Sequence, residues 1–262
     1  MAVDRWEDLV TTDFGQFDRE EAVAVLPVAA VEQHGPHLPL GTDALICDAI
    51  LDDALARLDT AAPVLRLPTQ WVGYSPEHSG FPGTLSLRAE TVLALWTDIG
   101  RAVAAAGIRK LLLFNSHGGQ AALVDIVAQV LRSEASMTVA RCSYYRFPLP
   151  EGWVAERERR FGLHGGQVET SLMLHIAPHL VRLDRARDFA SSAEHWEAAH
   201  RGLQIEAETG IGWRAEDLNP EGVTGDASSA SAELGARLLE HFAARVAALL
   251  EDLRRFPLFA AN

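Results

Sequence analysis

Apolar and polar positions along this chain fall into blocks that read alternately as strand and helix. Ala22–Ala30 is a short apolar, β-branched run, as expected of a strand buried on both faces, and it ends at Glu32-Gln33-His34-Gly35-Pro36-His37-Leu38-Pro39. A helix is predicted next, with Thr42 or Asp43 as its cap and Leu45, Ile46, Ala49, Ile50 and Leu55 at helical spacing through Leu58. Pro63–Leu67 reads as a second strand, Glu90–Ala106 as a helix stopped by Gly107, and Lys110–Asn115 as a fully buried strand. That strand runs into Ser116-His117-Gly118-Gly119; a helix over Gln120–Ser133 and a strand over Met137–Ser143 follow, and the alanine-rich stretch at 243–248 reads as helix. Such alternation predicts an α/β fold, with a parallel sheet covered on both faces, in one domain spanning 1–262.

Composition narrows the function. The chain has 262 residues, 48% of them hydrophobic, enough for a sizeable core. Its 36 acids against 23 Lys plus Arg give a formal charge of −13, which repels phosphate backbones and disfavours nucleic acid or an anionic membrane as partner. No apolar stretch approaches the roughly 18 residues of a membrane span, and the first residues have no signal-peptide pattern; a soluble, cytoplasmic protein is expected. The single lysine, Lys110, stands in no phosphate-loop pattern. Cys47 and Cys142 form no CxxC pair, and core packing is expected of both. A serine-hydrolase reading lacks a G-x-S-x-G elbow.

The candidate chemistry lies where parallel sheets place ligands, beyond the carboxyl ends of strands. Glu32 and His34 follow the first strand and, two residues apart in extended chain, project to one side; His117 follows the Lys110–Asn115 strand. Asp43 comes nine residues after His34, at a helix start, facing back toward the loop. Carboxylates and neutral imidazoles suit a divalent cation, and one carboxylate can bridge two. Taken singly, Asp43 is equally an ordinary helix cap, Glu32 a solvated acid and His34 a turn residue. Farther on, His164 sits in a glycine-flanked turn and Glu169 in the first turn of a helix that ends before Pro178, where an acid also complements the helix dipole.

Glu32-Gln33-His34-Gly35-Pro36-His37-Leu38-Pro39, Thr42-Asp43, Phe81-Pro82-Gly83-Thr84, Asn115-Ser116-His117-Gly118-Gly119 and His164-Gly165-Gly166-Gln167-Val168-Glu169-Thr170-Ser171 closely resemble the creatininase (creatinine amidohydrolase) family, in order, and Gly222–Gly235 resembles its C-terminal stretch. The resemblance implies a three-layer α/β/α sandwich, a homo-oligomer, often a hexamer, and a centre of two divalent ions, zinc first, manganese or iron otherwise. It implies that Glu32 and His117 hold one ion, that His34 holds the other and that Asp43 bridges them. True creatininase carries a glutamate where this chain has Gly119, so the remaining ligand is assigned to Glu169. His164 matches a histidine that contacts substrate and relays protons. The glycine-glycine form is that of members acting on amides other than creatinine, and the expected substrate is a small cyclic amide, a formamide or a short peptide. In this reading a hydroxide held between the ions attacks the carbonyl while His164 or a carboxylate passes a proton to the leaving nitrogen. The alternative is a metal-binding scaffold of the same fold without turnover.

Other polar residues draw plainer expectations. Tyr74, Ser75, Glu77 and His78 line the site or form a surface loop; His37 supports a ligand; His175, His179, His195, His200 and His241 are solvated or packed. Arg146 and Arg160 would gather at the mouth if the substrate were phosphorylated. Trp196–Asp226 is a lid or an oligomer contact.

Overall fold

The computed structural model describes residues 4–59, 63–200, 202–206 and 208–259. In chain order its strands and α-helices are β1 (Asp4–Arg5), β2 (Val23–Val28), α1 (Thr42–Ala56), β3 (Val64–Arg66), α2 (Ala89–Ala105), β4 (Lys110–Asn115), α3 (Ala121–Ala135), β5 (Thr138–Ser143), α4 (Glu156–Phe161), α5 (Gln167–Ile176), β6 (Asp188–Phe189), α6 (Ser192–Ala199), α7 (Ala215–Leu218), β7 (Gly225–Asp226) and α8 (Ala232–Arg255). Five strands form one parallel sheet in the order β1-β3-β2-β4-β5, and β6 pairs antiparallel with β7.

Every residue of β2 and β4 is buried, and their side chains divide between two layers. Val23, Val25, Leu112 and Phe114 join the core under α1, α5 and α8; Ala24, Leu26, Val28, Leu111 and Leu113 join the core under α2 and α3. Full burial of one large apolar side chain contributes about 1.5–3 kcal/mol. Slipping either strand by one residue would exchange both layers at once, so its register is fixed from both sides. The result is the three-layer arrangement expected.

Element boundaries fall within one or two residues of those expected, except that α8 runs far beyond the alanine-rich stretch that signalled it. The cap is different. Gly41 stands at the N-cap of α1 without a side-chain cap bond, and the Thr42 hydroxyl donates to the Pro39 carbonyl, which leaves the carboxylate of Asp43 uncommitted to the helix end. Lys110 is buried and donates to the carbonyl of Arg254, closing the last turn of α8. Both cysteines are buried in the apolar core, where desolvation raises their thiols, Cys142 to about 12. Among the described residues, no helix is long and apolar enough to cross a membrane.

The sheet also fixes where two loops meet. From β2 the chain moves outward to β3, and from β4 it moves the other way to β5, so the connections diverge between β2 and β4. These strands pair in register from Val23 with Lys110 to Val28 with Asn115. Their carboxyl ends therefore release the Glu32 and His117 loops side by side, at a topological switch point.

Candidate metal centre

Each histidine at this switch point has one ring nitrogen committed to a carbonyl. A carbonyl only accepts, so that nitrogen carries a proton, and the other is the one that can offer a lone pair to the site once its own proton has left. His34 donates from Nδ1 to the Glu32 carbonyl at 3.1 Å, which turns Nε2 toward Asp43 Oδ1 at 3.4 Å and Glu169 Oε2 at 3.7 Å. His117 donates from Nε2 to the Tyr74 carbonyl at 3.1 Å, which turns Nδ1 toward Glu32 Oε1 at 3.2 Å and Asp43 Oδ2 at 3.4 Å. His164 donates from Nε2 to the Gln33 carbonyl at 2.7 Å and leaves Nδ1 3.7 Å from Glu32 Oε1. The two oxygens of Asp43 thus face two different imidazoles.

All of this is buried except Glu169, whose side chain is 17% exposed. Glu32 Oε1, His34 Nε2 and Asp43 Oδ2 are buried with no hydrogen-bond partner among the described residues. Leaving a buried polar atom unpaired costs about 1–3 kcal/mol, and more when it is charged. Three such atoms in one site are the chemistry of a cation cradle: His34, Asp43 and Glu169 offer one set of ligand atoms, Glu32, Glu77 and His117 a second, and Glu32, His34 and His164 a third. The donor set fits a borderline divalent ion.

Electrostatics carries the same signature. Burial alone would lower His34, but Asp43, Glu169 and Glu32 outweigh it and hold its imidazolium up to about 9. Burial is likewise overcome at His117, raised well above its ordinary value by Glu32, Asp43 and Glu77. Desolvation raises Glu32 to about 7 in spite of the histidines. Desolvation also favours the protonated form of Asp43, yet the adjoining imidazoles of His117 and His34 keep it far below the usual carboxylate range. His164 goes the other way: burial, then His78 and His34, push it well down, so its ring is neutral at pH 7 and its Nδ1 is unprotonated.

Surrounding residues hold these atoms in place. Gln33 donates to the Gly222 carbonyl and to His78 Nδ1 while accepting from Gly35 N, and its own backbone N donates to the Thr84 hydroxyl. This gives Phe81-Pro82-Gly83-Thr84 a bracing role. Gly35 and Gly165 both adopt left-handed φ, near 67° and 66°, and both lie under the methyl groups of Val223, where a Cβ would collide. His37 donates to the Gly165 carbonyl at 3.0 Å, tying the two motif loops together. The Ser75 hydroxyl donates to Glu32 Oε2. The ring of His78 stacks on that of His164 at 4.0 Å and its Nε2 lies 3.5 Å from Glu32 Oε1. The Pro76–His78 turn is therefore a wall of the site rather than a surface loop.

The buried carboxylate of Glu158 went unnoticed in the sequence. It accepts from the backbone N of Gln167 and of Asp226, fastening the start of α5, and so Glu169, to β7. Only the close packing of Gly162, Gly166 and Gly225 around it explains the glycine spacing there, and those contacts are tertiary. From Trp196–Asp226, Thr224 bridges to His164 and Val223 covers the glycines, so its last residues build the site; residues 201 and 207 lie outside the described residues. His200 and His241 bond only to backbone carbonyls away from the centre.

A cavity of about 310 Å³ borders Glu169 and is walled by Tyr144, Tyr145, Phe147, Leu163, Val168 and Phe242. Arg160 does not gather there as a free cation: it pairs with Glu197 and donates to the Glu206 carbonyl. Arg146 is exposed, and its charge partly offsets the desolvation that raises the carboxylate of Glu206.

Comparison with known proteins gives the chain's relatives. The model of the family Creatininase, described as creatinine amidohydrolase, matches residues 7–250. The mycofactocin precursor peptide peptidase of Mycobacterium ulcerans (strain Agy99) is 33% identical over 239 residues, 88% of this chain and 85% of that protein. The creatinine amidohydrolase of Pseudomonas putida is 35% identical over 191 residues, 64% of this chain and 69% of its own. Among solved structures, Creatininase Mn superposes with a TM-score of 0.72 at 27% identity, covering 95% of this chain and 98% of that one. A mutant creatininase of Zn-Zn type gives 0.73 at 28% identity, covering 96% and 98%.

Proposed function

Because the chain belongs to the creatininase family, we propose that it is a two-metal amidohydrolase that cleaves a C–N amide bond of a short peptide or another small amide with an apolar side. The observation that carries this reading is the pair of imidazole nitrogens turned toward the two oxygens of Asp43, with Glu32 Oε1 and His34 Nε2 buried and unpartnered beside them. Glu32 and His117 would hold one ion, His34 and Glu169 the other, with Asp43 between. Zinc is the first choice and manganese the second, in line with the Zn-Zn and Mn forms of creatininase.

Two divalent ions in such a cradle supply Lewis acidity, polarising a carbonyl and bringing the pKa of a water down to about 7. The chain's own residues do the rest. His164, neutral and with Nδ1 turned inward, takes a proton from the attacking water and returns it to the leaving nitrogen. Glu169, raised by desolvation and hydrogen-bonded to Gly165 N at 2.7 Å, is the carboxylate that meets substrate arriving from the cavity. Rings and aliphatic walls there, beside Glu158 and Arg159, suit a substituent that is apolar in part. Two buried free cysteines suit a reducing compartment, and a homo-oligomer, up to a hexamer, goes with this reading.

Elemental analysis of the purified protein tests it, followed by chelation and assay against a panel of formamides, cyclic amides and dipeptides. Two equivalents per chain are expected, with turnover lost on stripping and regained with zinc or manganese. Full turnover by stripped protein would sink the proposal.

A further inference from the structure

Gly119 is the position at which this chain departs from creatininase within the His117 motif, and the space beside it is taken. A Cβ built on Gly119 would run into the carboxylate of Glu77 and lie 2.8 Å from His117 Nε2, whereas a Cβ on neighbouring Gly118 would meet nothing within 4 Å. Glu77 arrives from the Pro76–His78 turn, 42 positions earlier in the chain, with its side chain 11% exposed. Its Oε1 stands 3.1 Å from His117 Nε2, on the far side of the ring from the Nδ1 that faces Glu32 and Asp43.

We propose that Glu77 is the positioning carboxylate of the His117 side of the centre, and that position 119 must be bare to admit it. Accepting from Nε2–H together with the Tyr74 carbonyl, Glu77 locks the tautomer of His117 and makes Nδ1 a stronger donor. A metal-binding histidine backed by a carboxylate is held in orientation and made more basic, and loss of such a partner costs about 10–100-fold in metal affinity. Glu77 also adds a negative charge to a centre meant to hold two dications without occupying a ligand position. Gly119 is thereby explained by the tertiary neighbour that fills its place, and not by backbone freedom.

This inference rests on the two-metal reading, and the test separates them. Stripped protein is titrated with zinc against a chromophoric chelator for wild type, Glu77→Gln, Glu77→Ala, Gly119→Ala and the Glu77→Ala/Gly119→Ala double variant, with melting temperatures as a folding control. Wild type is expected to take up two zinc ions. Glu77→Gln, nearly isosteric but uncharged, should weaken one of the two by about 10–100-fold while the stripped protein still melts in one cooperative transition. Gly119→Ala should weaken it similarly, chiefly by displacing Glu77, and should add less than its full effect in the Glu77→Ala background, where only the contact with His117 remains. If Glu77→Ala does not fold, the glutamine variant decides alone. Wild-type zinc affinity in Glu77→Gln overturns the inference and leaves the two-metal reading standing, as does a Gly119→Ala loss that simply adds to that of Glu77→Ala. A wild-type protein that binds no zinc overturns both.

Discussion

Asp43 divides the centre into two sides that are built differently. On the His117 side Glu32, His117 and Ser75 are buried, Glu77 behind them is 11% exposed, and all come from strand ends and turns of the sheet. On the His34 side the set is completed by Glu169, from the first turn of α5, partly exposed and bordering the cavity. One side is closed and braced from behind; the other is open toward the route that substrate would take. The contrast predicts a tightly held ion beside His117 and a more exchangeable one beside His34, with Asp43 the only group both need.

The sharpest way to break that contrast is to remove what the sides share. Asp43→Asn keeps shape but deletes the bridging charge, and both ions should be lost along with turnover, on the order of a thousandfold for the several kcal/mol such ions supply. Elemental analysis that still finds one tightly bound ion in Asp43→Asn would mean that the sides do not depend on a common carboxylate.

A milder change should tell the sides apart. Glu169→Gln removes charge only from the open side, so one equivalent should remain and the second should bind at least about 10–100-fold more weakly, the range known for groups that merely support a ligand. Zinc titration of the stripped variant reads this directly. Equal weakening of both ions would show that openness to the cavity does not govern affinity, and retention of both at wild-type strength would remove Glu169 from the ligand set.

The same division runs through what was legible in the sequence. Strand ends announce themselves locally, so β2, β4 and the His117 loop could be read from apolar runs that stop at polar turns, and with them the convergence of Glu32, His34 and His117. Asp43 was readable only as a choice between helix cap and ligand; its freedom depends on Gly41 occupying the cap position. Glu77 was readable only as a choice between lining the site and a surface loop, because one acid in a turn after a proline looks like any solvated loop and its partner ring is 40 residues away. Glu158 was invisible for the same reason, its two backbone donors lying 9 and 68 residues distant. Local pattern carries elements and their ends; a carboxylate that acts by filling space beside a distant glycine leaves no periodicity to find.

The smallest expected effect concerns pH, and it compares the protein with and without its ions. In the stripped protein the carboxylates have only imidazolium to pair with, which is why His34 is held up to about 9 from an ordinary value of 6.5. A raised histidine stabilises the folded state fully below the unfolded value and loses that contribution as pH rises through the folded one. Glu32, raised by desolvation to about 7, works in the same direction: the cost of its buried charge appears as pH climbs from the ordinary carboxylate range through 7. Stripped protein should therefore lose stability steadily between about pH 6.5 and 9, most of it above 7. Loaded protein should not, because the ions already hold both histidines neutral and Glu32 ionised across that window. Melting temperatures of the two forms measured across this range should diverge as pH rises, and zinc uptake at pH 7 should release protons, seen in calorimetry as a heat that changes with the ionisation enthalpy of the buffer. Parallel melting curves, or uptake heats that are the same in every buffer, would mean that the histidines are not being held by the carboxylates of the centre in the way their geometry indicates.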